Sequence, residues 1–205
     1  TRSLSARASG EQGQWGELIL ARVLEASGLR QGREFELQVH LKAEGGSAYQ
    51  PDAVVRLPDK RDILIDAKVS LKDFTDAINA ASPEEQQASI QRHLVSVKRQ
   101  INLLATKQYH KLGGLGALDF VLLFIPVEGA FQMVVEQDPD LLVQAMQKKI
   151  ILSSPSTLLA ILRTIHHLWR VDEQHKNSLA IAKQAASIYD KLVGFVESFN
   201  AIGLR

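Results

Sequence analysis

Residues 51–69 read PDAVVRLPDKRDILIDAKV. The stretch contains two runs of β-branched and aliphatic residues separated by the polar segment 58–61, and this is the pattern of a β-hairpin. We interpret Asp59, Lys60, Arg61 and Asp62 as a solvated turn. The hairpin predicts that the chain contains a β-sheet. The segments around it indicate whether that sheet is antiparallel or mixed and whether helices cover it.

The register of this hairpin places two acidic side chains together. If Leu57 and Arg61 form the last pair, the numbers of paired residues sum to 118, and Asp52 lies opposite Asp66. Opposed residues have Cβ atoms about 4.5–5.5 Å apart, so two like charges destabilise the sheet unless a cation lies between them. The pairing therefore predicts either a cation site or an unfavourable contact.

The second strand adds an amine to the two acids. Alternation places Asp66 and Lys68 on one face of the strand and Ile63 and Ile65 on the other. Two carboxylates with a nearby ammonium are the groups that magnesium-dependent phosphoryl transfer requires. In this interpretation Asp52 and Asp66 bind Mg²⁺, with Mn²⁺ as an alternative, and Lys68 orients or deprotonates the attacking water. The competing interpretation is a salt bridge on an ordinary hairpin.

The rest of the chain predicts helices around the sheet. Helices are expected over 11–27, 70–80, 83–105, 154–171 and onward to 201, with two short ones in 126–147, and further strands over 34–41, 120–125 and 150–152. The apolar run 120–125 is typical of a central strand covered on both faces. The order predicts an α/β fold, a mixed β-sheet flanked by helices with a long helical C-terminal part.

The length predicts a single domain over residues 1–205. We expect an N-terminal tail at 1–10, a sheet-containing core at 11–153 and a helical extension packed on it at 154–205. Hydrophobic residues make up 45% of the chain, enough for a large core, and cysteine is absent. A disulfide scaffold, a thiolate nucleophile and cysteine-ligated zinc or iron–sulfur clusters are therefore excluded.

The longest apolar run is eight residues, whereas a membrane-spanning helix needs roughly 20. We expect no membrane contact from this fragment and a cytoplasmic location. The chain begins with threonine rather than methionine, and we interpret it as an excised domain.

Basic residues are segregated along the chain. Residues 86–118 carry five basic side chains and no acidic one, and residues 141–171 carry four and none. If these basic segments meet in space, they form a surface that can bind a polyanion. The alternative is that they are solvated helix faces that lack glutamate. The residues predicted to contact DNA are Arg92, Lys98, Arg99, Lys107 and Lys111, with Tyr109 either stacking on a base or packing in the fold.

Asp52 after Pro51, followed by Asp66-Ala67-Lys68, resembles the PD-(D/E)xK signature of restriction-endonuclease-like nucleases. Over nearly its whole length the chain resembles the RmuC family of DNA recombination proteins. The segments that carry this likeness are GQWGE at 13–17, QPD at 50–52, LP at 57–58, IDAKVS at 65–70, KQY at 107–109, FIPVE at 124–128 and SPSTLL at 154–159.

The resemblance implies a restriction-endonuclease-like core that hydrolyses DNA phosphodiesters with a metal ion, a role in recombination or genome maintenance, and a bacterial origin. Asp52, Asp66 and Lys68 match the catalytic positions, and Glu17 falls where many such nucleases carry a further acidic metal ligand. Otherwise Glu17 is an exposed helical residue. Glu128, which follows the central strand, is a candidate supporting acid.

The same likeness implies a membrane anchor and a coiled coil upstream of this fragment in the full-length protein, and hence self-association through helices. Two other functions stay open from the sequence. One is a non-catalytic DNA-binding or scaffolding module of the same fold. The other is a structural domain whose basic faces meet an acidic protein.

Overall fold

The structure is a computed structural model that describes residues 2–42, 48–67, 69–107 and 115–203. It divides into two compact units, Thr1–His166 and His167–Arg205. Across the described residues, no helix has the length and apolar character needed to cross a membrane.

The described residues form six helices and seven strands, joined by turns and loops. The helices are α1 (Arg2–Ala26), α2 (Lys72–Ile78), α3 (Pro83–Thr106), α4 (Glu128–Gln137), α5 (Asp140–Gln147) and α6 (Pro155–Gly203). The strands are β1 (Phe35–Leu37), β2 (Leu41–Lys42), β3 (Ala48–Tyr49), β4 (Ala53–Arg56), β5 (Arg61–Asp66), β6 (Ala117–Phe124) and β7 (Ile150–Ser153).

Five strands form a mixed sheet in the order β1-β4-β5-β6-β7, and β2 and β3 form a separate antiparallel pair. The β1–β4 and β4–β5 pairs are antiparallel, whereas β5, β6 and β7 run parallel. This confirms the predicted mixed sheet flanked by helices, with a long C-terminal helix. It also confirms an interior strand over residues 120–124 of the predicted 120–125, because β6 has a partner on each side and ends at Phe124.

Helices cover the sheet on both faces. On one face, Val54, Leu64 and Leu123 share a hydrophobic core with α3, α4 and α5. The alternate residues Val55 and Ile65 point the other way and are equally buried. A further five buried side chains lie on α1 and on the first turns of α6, outside the first core, and we assign them to this second face. They are Leu20, Leu24, Leu158, Leu162 and Ile165.

Helix α3 begins as its sequence predicts. The Ser82 hydroxyl accepts a hydrogen bond from the Glu85 backbone N–H, and Pro83 occupies the first helical position, where no N–H is needed. The apolar side of this helix faces the core through Leu94, Val97 and Ile101. This helix therefore has a fixed start and a fixed rotation over the sheet.

Several predicted boundaries differ from the structure. The expected strand 34–41 is divided into β1 and β2 because Gln38 adopts a left-handed φ of 50°, which interrupts an extended strand. The two helices expected after residue 154 are one continuous helix, since neither proline nor glycine occurs between Ser156 and Val193. Helix α1 starts at Arg2 rather than near residue 11.

The interpretation of Asp62 as part of a solvated turn is wrong. Asp62 is only 3% exposed, and its Oδ2 accepts hydrogen bonds from the Arg56 guanidinium at 2.6 Å and from the Gly116 backbone N–H at 2.6 Å. Asp59 and Arg61 do form the exposed ion pair expected of the turn. Asp62 differs because the chain entering β6 runs beside it and covers it.

The second unit consists of the later part of α6. Its described side chains between residues 174 and 188 are all exposed, and they include three large aliphatic residues, Leu179, Ile181 and Ile188.

Candidate functional site

The hairpin register is the one that the sequence predicts. Ala53 pairs with Ile65 and Arg56 with Asp62, so that paired numbers sum to 118. At the turn, the Leu57 N–H donates to the Arg61 carbonyl at 2.8 Å, and at the open end the Asp52 N–H donates to the Ile65 carbonyl at 3.1 Å. The numbers of Asp52 and Ile65 sum to 117, so this bond departs from the register by one residue at the open end. Asp52 directly precedes β4, and Asp66 is the last residue of β5, so both lie at the open end of the hairpin.

Asp66 is fully buried, with 0% of its surface exposed. Its Oδ2 accepts a hydrogen bond from the Tyr49 hydroxyl at 2.9 Å, and its Oδ1 lies 3.4 Å from the Gln100 amide nitrogen of α3. The Lys107 ammonium, at the C-cap of α3, lies 3.8 Å from Oδ2. A buried carboxylate needs such donors, because the loss of hydration is otherwise very costly.

Asp52 is also buried, at 7% exposed, and its Oδ2 accepts a hydrogen bond from the Ala67 backbone N–H at 2.7 Å. This bond holds the Asp52 side chain against the residue that follows Asp66. Both aspartates are therefore fixed at the same edge of the sheet, the edge where the parallel strands β5, β6 and β7 end.

Helix α1 crosses this edge. A Cβ placed on Gly16 would lie 3.4 Å from a Pro126 side-chain carbon and 3.8 Å from the Ala67 carbonyl oxygen, so the helix backbone packs directly on the strand ends. Glu17 is the next residue, and its Oε2 accepts a hydrogen bond from the Gln38 side-chain amide at 2.8 Å. The Gln38 N–H in turn donates to the Asp52 carbonyl at 3.0 Å. Gln38 thus links the Glu17 carboxylate to the Asp52 backbone through two hydrogen bonds.

The predicted DNA-contacting residues differ in their surroundings. Arg92 forms an ion pair with Asp73 at 3.0 Å, and Lys98 forms one with Asp138 at 2.7 Å. The side chain of Arg99 is exposed on α3. Lys107 reaches the candidate site, and its ammonium lies 4.1 Å from the centroid of the Tyr49 ring. The predicted residues Lys68, Tyr109 and Lys111 lie outside the described residues.

The donor chemistry at this edge fits a hard divalent cation. Mg²⁺ is commonly held by one or two carboxylates and keeps several water ligands, and Asp52 and Asp66 are two buried carboxylates on paired segments. Within the described part of the chain, no three histidine, cysteine, aspartate or glutamate side chains gather as a metal-ligand group. The predicted set of Asp52, Asp66 and Glu17 is therefore not assembled as three ligands here.

Two partners of Asp66 were not predicted from the sequence. Gln100 lies three residues after Val97 and four before Leu104, so it borders the apolar stripe of α3 that faces the sheet. A polar residue in that position is a signal that sequence analysis can use. Tyr49 gave no comparable signal, because β3 is only two residues long.

Glu128 has a structural role that explains its position. It begins α4, and its carboxylate accepts hydrogen bonds from the Ser154 hydroxyl at 2.8 Å and, at 3.4 Å, from the backbone N–H of Ser156 in the first turn of α6. Burial acts to raise the pKa of Glu128, but the hydrogen bonds from Ser154 and Ser156 outweigh it and hold the pKa below 4.5. Glu128 therefore ties the start of one helix to the start of another.

We expect the Glu128→Gln variant to lose part of the pH dependence of stability. Because the folded-state pKa of Glu128 is depressed, its contribution is present above about pH 4.5 and is lost as the pH falls through the folded-state pKa. At neutral pH the variant should be less stable by about 0.5 kcal/mol, the low end for a charge at a helix N-terminus, since this side chain is exposed.

Urea unfolding between about pH 3 and pH 7 measures this effect. The matched control is Glu136→Gln, which changes a glutamate of the same helix whose carboxylate accepts a hydrogen bond from the Gln132 side chain within that helix. Parallel stability curves for the parent and the Glu128→Gln variant would show that Glu128 is not the source of the dependence.

The fold and this site define a mixed α/β protein that holds two buried carboxylates where a β-hairpin meets the carboxyl ends of parallel strands. The RmuC family model matches residues 1–205, and the chain belongs to the RmuC family.

Three relatives illustrate this membership. The DNA recombination protein RmuC of Salmonella typhimurium is 47% identical over 192 residues, which cover 94% of this chain and 40% of the relative. The protein of the same name from Escherichia coli K12 is 46% identical over the same coverage. The DNA recombination protein RmuC homolog of Pseudomonas aeruginosa is 43% identical over 205 residues, which cover all of this chain and 45% of the relative. The chain thus spans less than half the length of these relatives.

Proposed function

We propose that this chain is a metal-dependent DNA phosphodiesterase domain with a restriction-endonuclease-like core, which acts in DNA recombination or genome maintenance. The observation that carries the proposal is the placement of Asp52 and Asp66, two buried carboxylates at the open end of the β4–β5 hairpin, where Asp52 is held by the backbone N–H of the residue that follows Asp66. Two like charges in that position are destabilising unless a cation or a function compensates them. The relatives are named DNA recombination proteins, which supports DNA as the substrate.

In this proposal Asp52 and Asp66 hold a Mg²⁺ ion, which Mn²⁺ can replace, and Glu17 assists from α1. The bound ion supplies Lewis-acid polarisation of the scissile phosphate. Lys68, two residues after Asp66, orients the attacking water or takes its proton. Tyr49 and Gln100 keep the Asp66 carboxylate in place through their hydrogen bonds.

The path of DNA is proposed from the basic residues around the site. Lys107, which is predicted to contact DNA, lies 3.8 Å from Oδ2 of Asp66, and Tyr109 and Lys111 follow it in the chain. Arg99 offers an exposed guanidinium on α3. Arg92 and Lys98 already neutralise Asp73 and Asp138, so they add less net positive charge for phosphate contacts.

A second candidate function is a DNA-binding or scaffolding module without hydrolysis. The observation that favours it is that Asp52 and Asp66 each have protein hydrogen-bond donors, and that no three-ligand group is assembled in the part of the chain described. In that case the two carboxylates would stabilise the end of the sheet rather than bind a cation.

A cleavage assay separates the two functions. Plasmid and linear DNA are incubated with the purified chain in Mg²⁺, in Mn²⁺ and in chelator, and products are resolved on gels. We expect nicking or shortening of DNA in both metals and none in chelator. DNA binding without cleavage in either metal would favour the second candidate. Binding that does not weaken with rising salt would contradict both, because phosphate contacts release counterions.

A further inference from the structure

The Lys107 ammonium lies close to both Asp66 and Tyr49 at the candidate site. It lies 3.8 Å from Oδ2 of Asp66 and 4.1 Å from the centroid of the Tyr49 ring. The Tyr49 hydroxyl donates to the same Oδ2 at 2.9 Å. Tyr49 therefore connects Lys107 and Asp66, since it contacts the amine with the face of its ring and the carboxylate with its hydroxyl.

The position of Lys107 in the chain allows this amine to move. Lys107 is the C-cap of α3 with an extended backbone, φ −73° and ψ 127°, and its side chain is 36% exposed, whereas Asp66 is fully buried. The lysine stem has four flexible carbons, so the ammonium can exchange between the carboxylate and the solvent at small cost. The Asp66 carboxylate has no such freedom, because it lies on a central strand.

An ammonium and a divalent cation compete for a carboxylate oxygen, since both are attracted by the same negative charge. We propose that Lys107 is the built-in counter-ion of Asp66, that a divalent cation displaces it from Oδ2, and that the released ammonium then binds a DNA phosphate. This inference rests on the metal site of the proposed function and adds how that site is regulated. It makes tight DNA binding depend on prior metal binding.

The first test is the affinity of the whole chain for Mn²⁺, measured by electron paramagnetic resonance in the absence of DNA. Lys107→Met keeps most of the side-chain volume and removes the charge, and we expect it to bind Mn²⁺ about threefold to fivefold more tightly, the range for a partly exposed ion pair. Lys107→Arg keeps the charge and should retain the affinity of the parent.

The matched control is Lys148→Met. Lys148 also contacts α3, but there its ammonium donates to the Asn102 side-chain oxygen at 2.6 Å. This variant should bind Mn²⁺ like the parent.

The second test is DNA affinity with Ca²⁺ and with chelator. We expect Ca²⁺ to strengthen DNA binding by the parent and to strengthen it less in Lys107→Met. Equal or weaker Mn²⁺ binding by Lys107→Met would overturn the inference, because Lys107 would then not compete with the metal. A parent that binds Mn²⁺ competitively with Lys107 but cleaves no DNA would refute the proposed hydrolysis and leave the inference standing. A parent that binds no Mn²⁺ would refute both.

Discussion

Replacing Asp66 with asparagine is expected to lower metal-dependent DNA cleavage about 1000-fold. Asparagine has nearly the same shape. Its single side-chain oxygen can accept the hydrogen bond of the Tyr49 hydroxyl, and its NH2 group can donate to the Gln100 side-chain oxygen once that amide turns by about 180°, so the fold should be preserved. What is lost is the negative charge that would hold the metal. A loss of about 4 kcal/mol of transition-state stabilisation corresponds to a factor of about 1000.

The measurement is the initial rate of plasmid cleavage in Mg²⁺, with thermal unfolding recorded for each variant. Asp76→Asn is the matched control, since Asp76 forms a surface ion pair with Lys72 on α2. That variant should cleave within about twofold of the parent, because exposed ion pairs contribute little. Cleavage at the parental rate by Asp66→Asn would show that Asp66 holds no catalytic metal.

Replacing Gly116 with alanine is expected to destabilise the chain by about 3 kcal/mol. An added Cβ would collide with the Lys60 carbonyl oxygen and would lie 2.9 Å from the carbonyl carbon. These are backbone atoms of the hairpin turn, so they cannot rotate away as a side chain would. The displacement would also strain the hydrogen bond from the Gly116 N–H to the buried Asp62 carboxylate.

The expected result is a fall in the melting temperature of roughly 6–12 °C for a chain of this size. Gly13→Ala is the control, because a Cβ there meets nothing within 4 Å and lies in helix α1. That variant should be unchanged or more stable by up to about 1 kcal/mol. If both variants melt at the parental temperature, the turn and the start of β6 are not packed as described.

Much of the local structure follows from the sequence. The polar segment between two apolar runs set the β4–β5 hairpin and its register, and Ser82 with Pro83 set the start of α3. These features depend on residues that are close in the chain, and alternation or capping fixes them without help from the rest of the fold.

Other features depend on segments that are distant in the chain. Aspartate is a residue type typical of turns, yet Asp62 is buried. The chain segment that enters β6 covers it, and Gly116, 54 positions later, donates a hydrogen bond to its carboxylate. Gln38 interrupts the expected strand by a left-handed backbone that its residue type does not predict. Helix α6 is continuous where the sequence predicted two helices, and the reason is local, because the segment lacks a residue that would end a helix.

The sequence by itself determined the hairpin and its register from Ala53 to Arg56, because a short turn between two strands leaves a single register, and it thereby placed Asp52 and Asp66 at the same open end. Only the tertiary structure decided which groups surround them. Tyr49 and Gln100 lie 17 and 34 positions from Asp66, and packing of β3 and α3 on the sheet brings them to its carboxylate. Those contacts arise from the way helices and strands pack over long separations, and no local pattern of residue types encodes that packing.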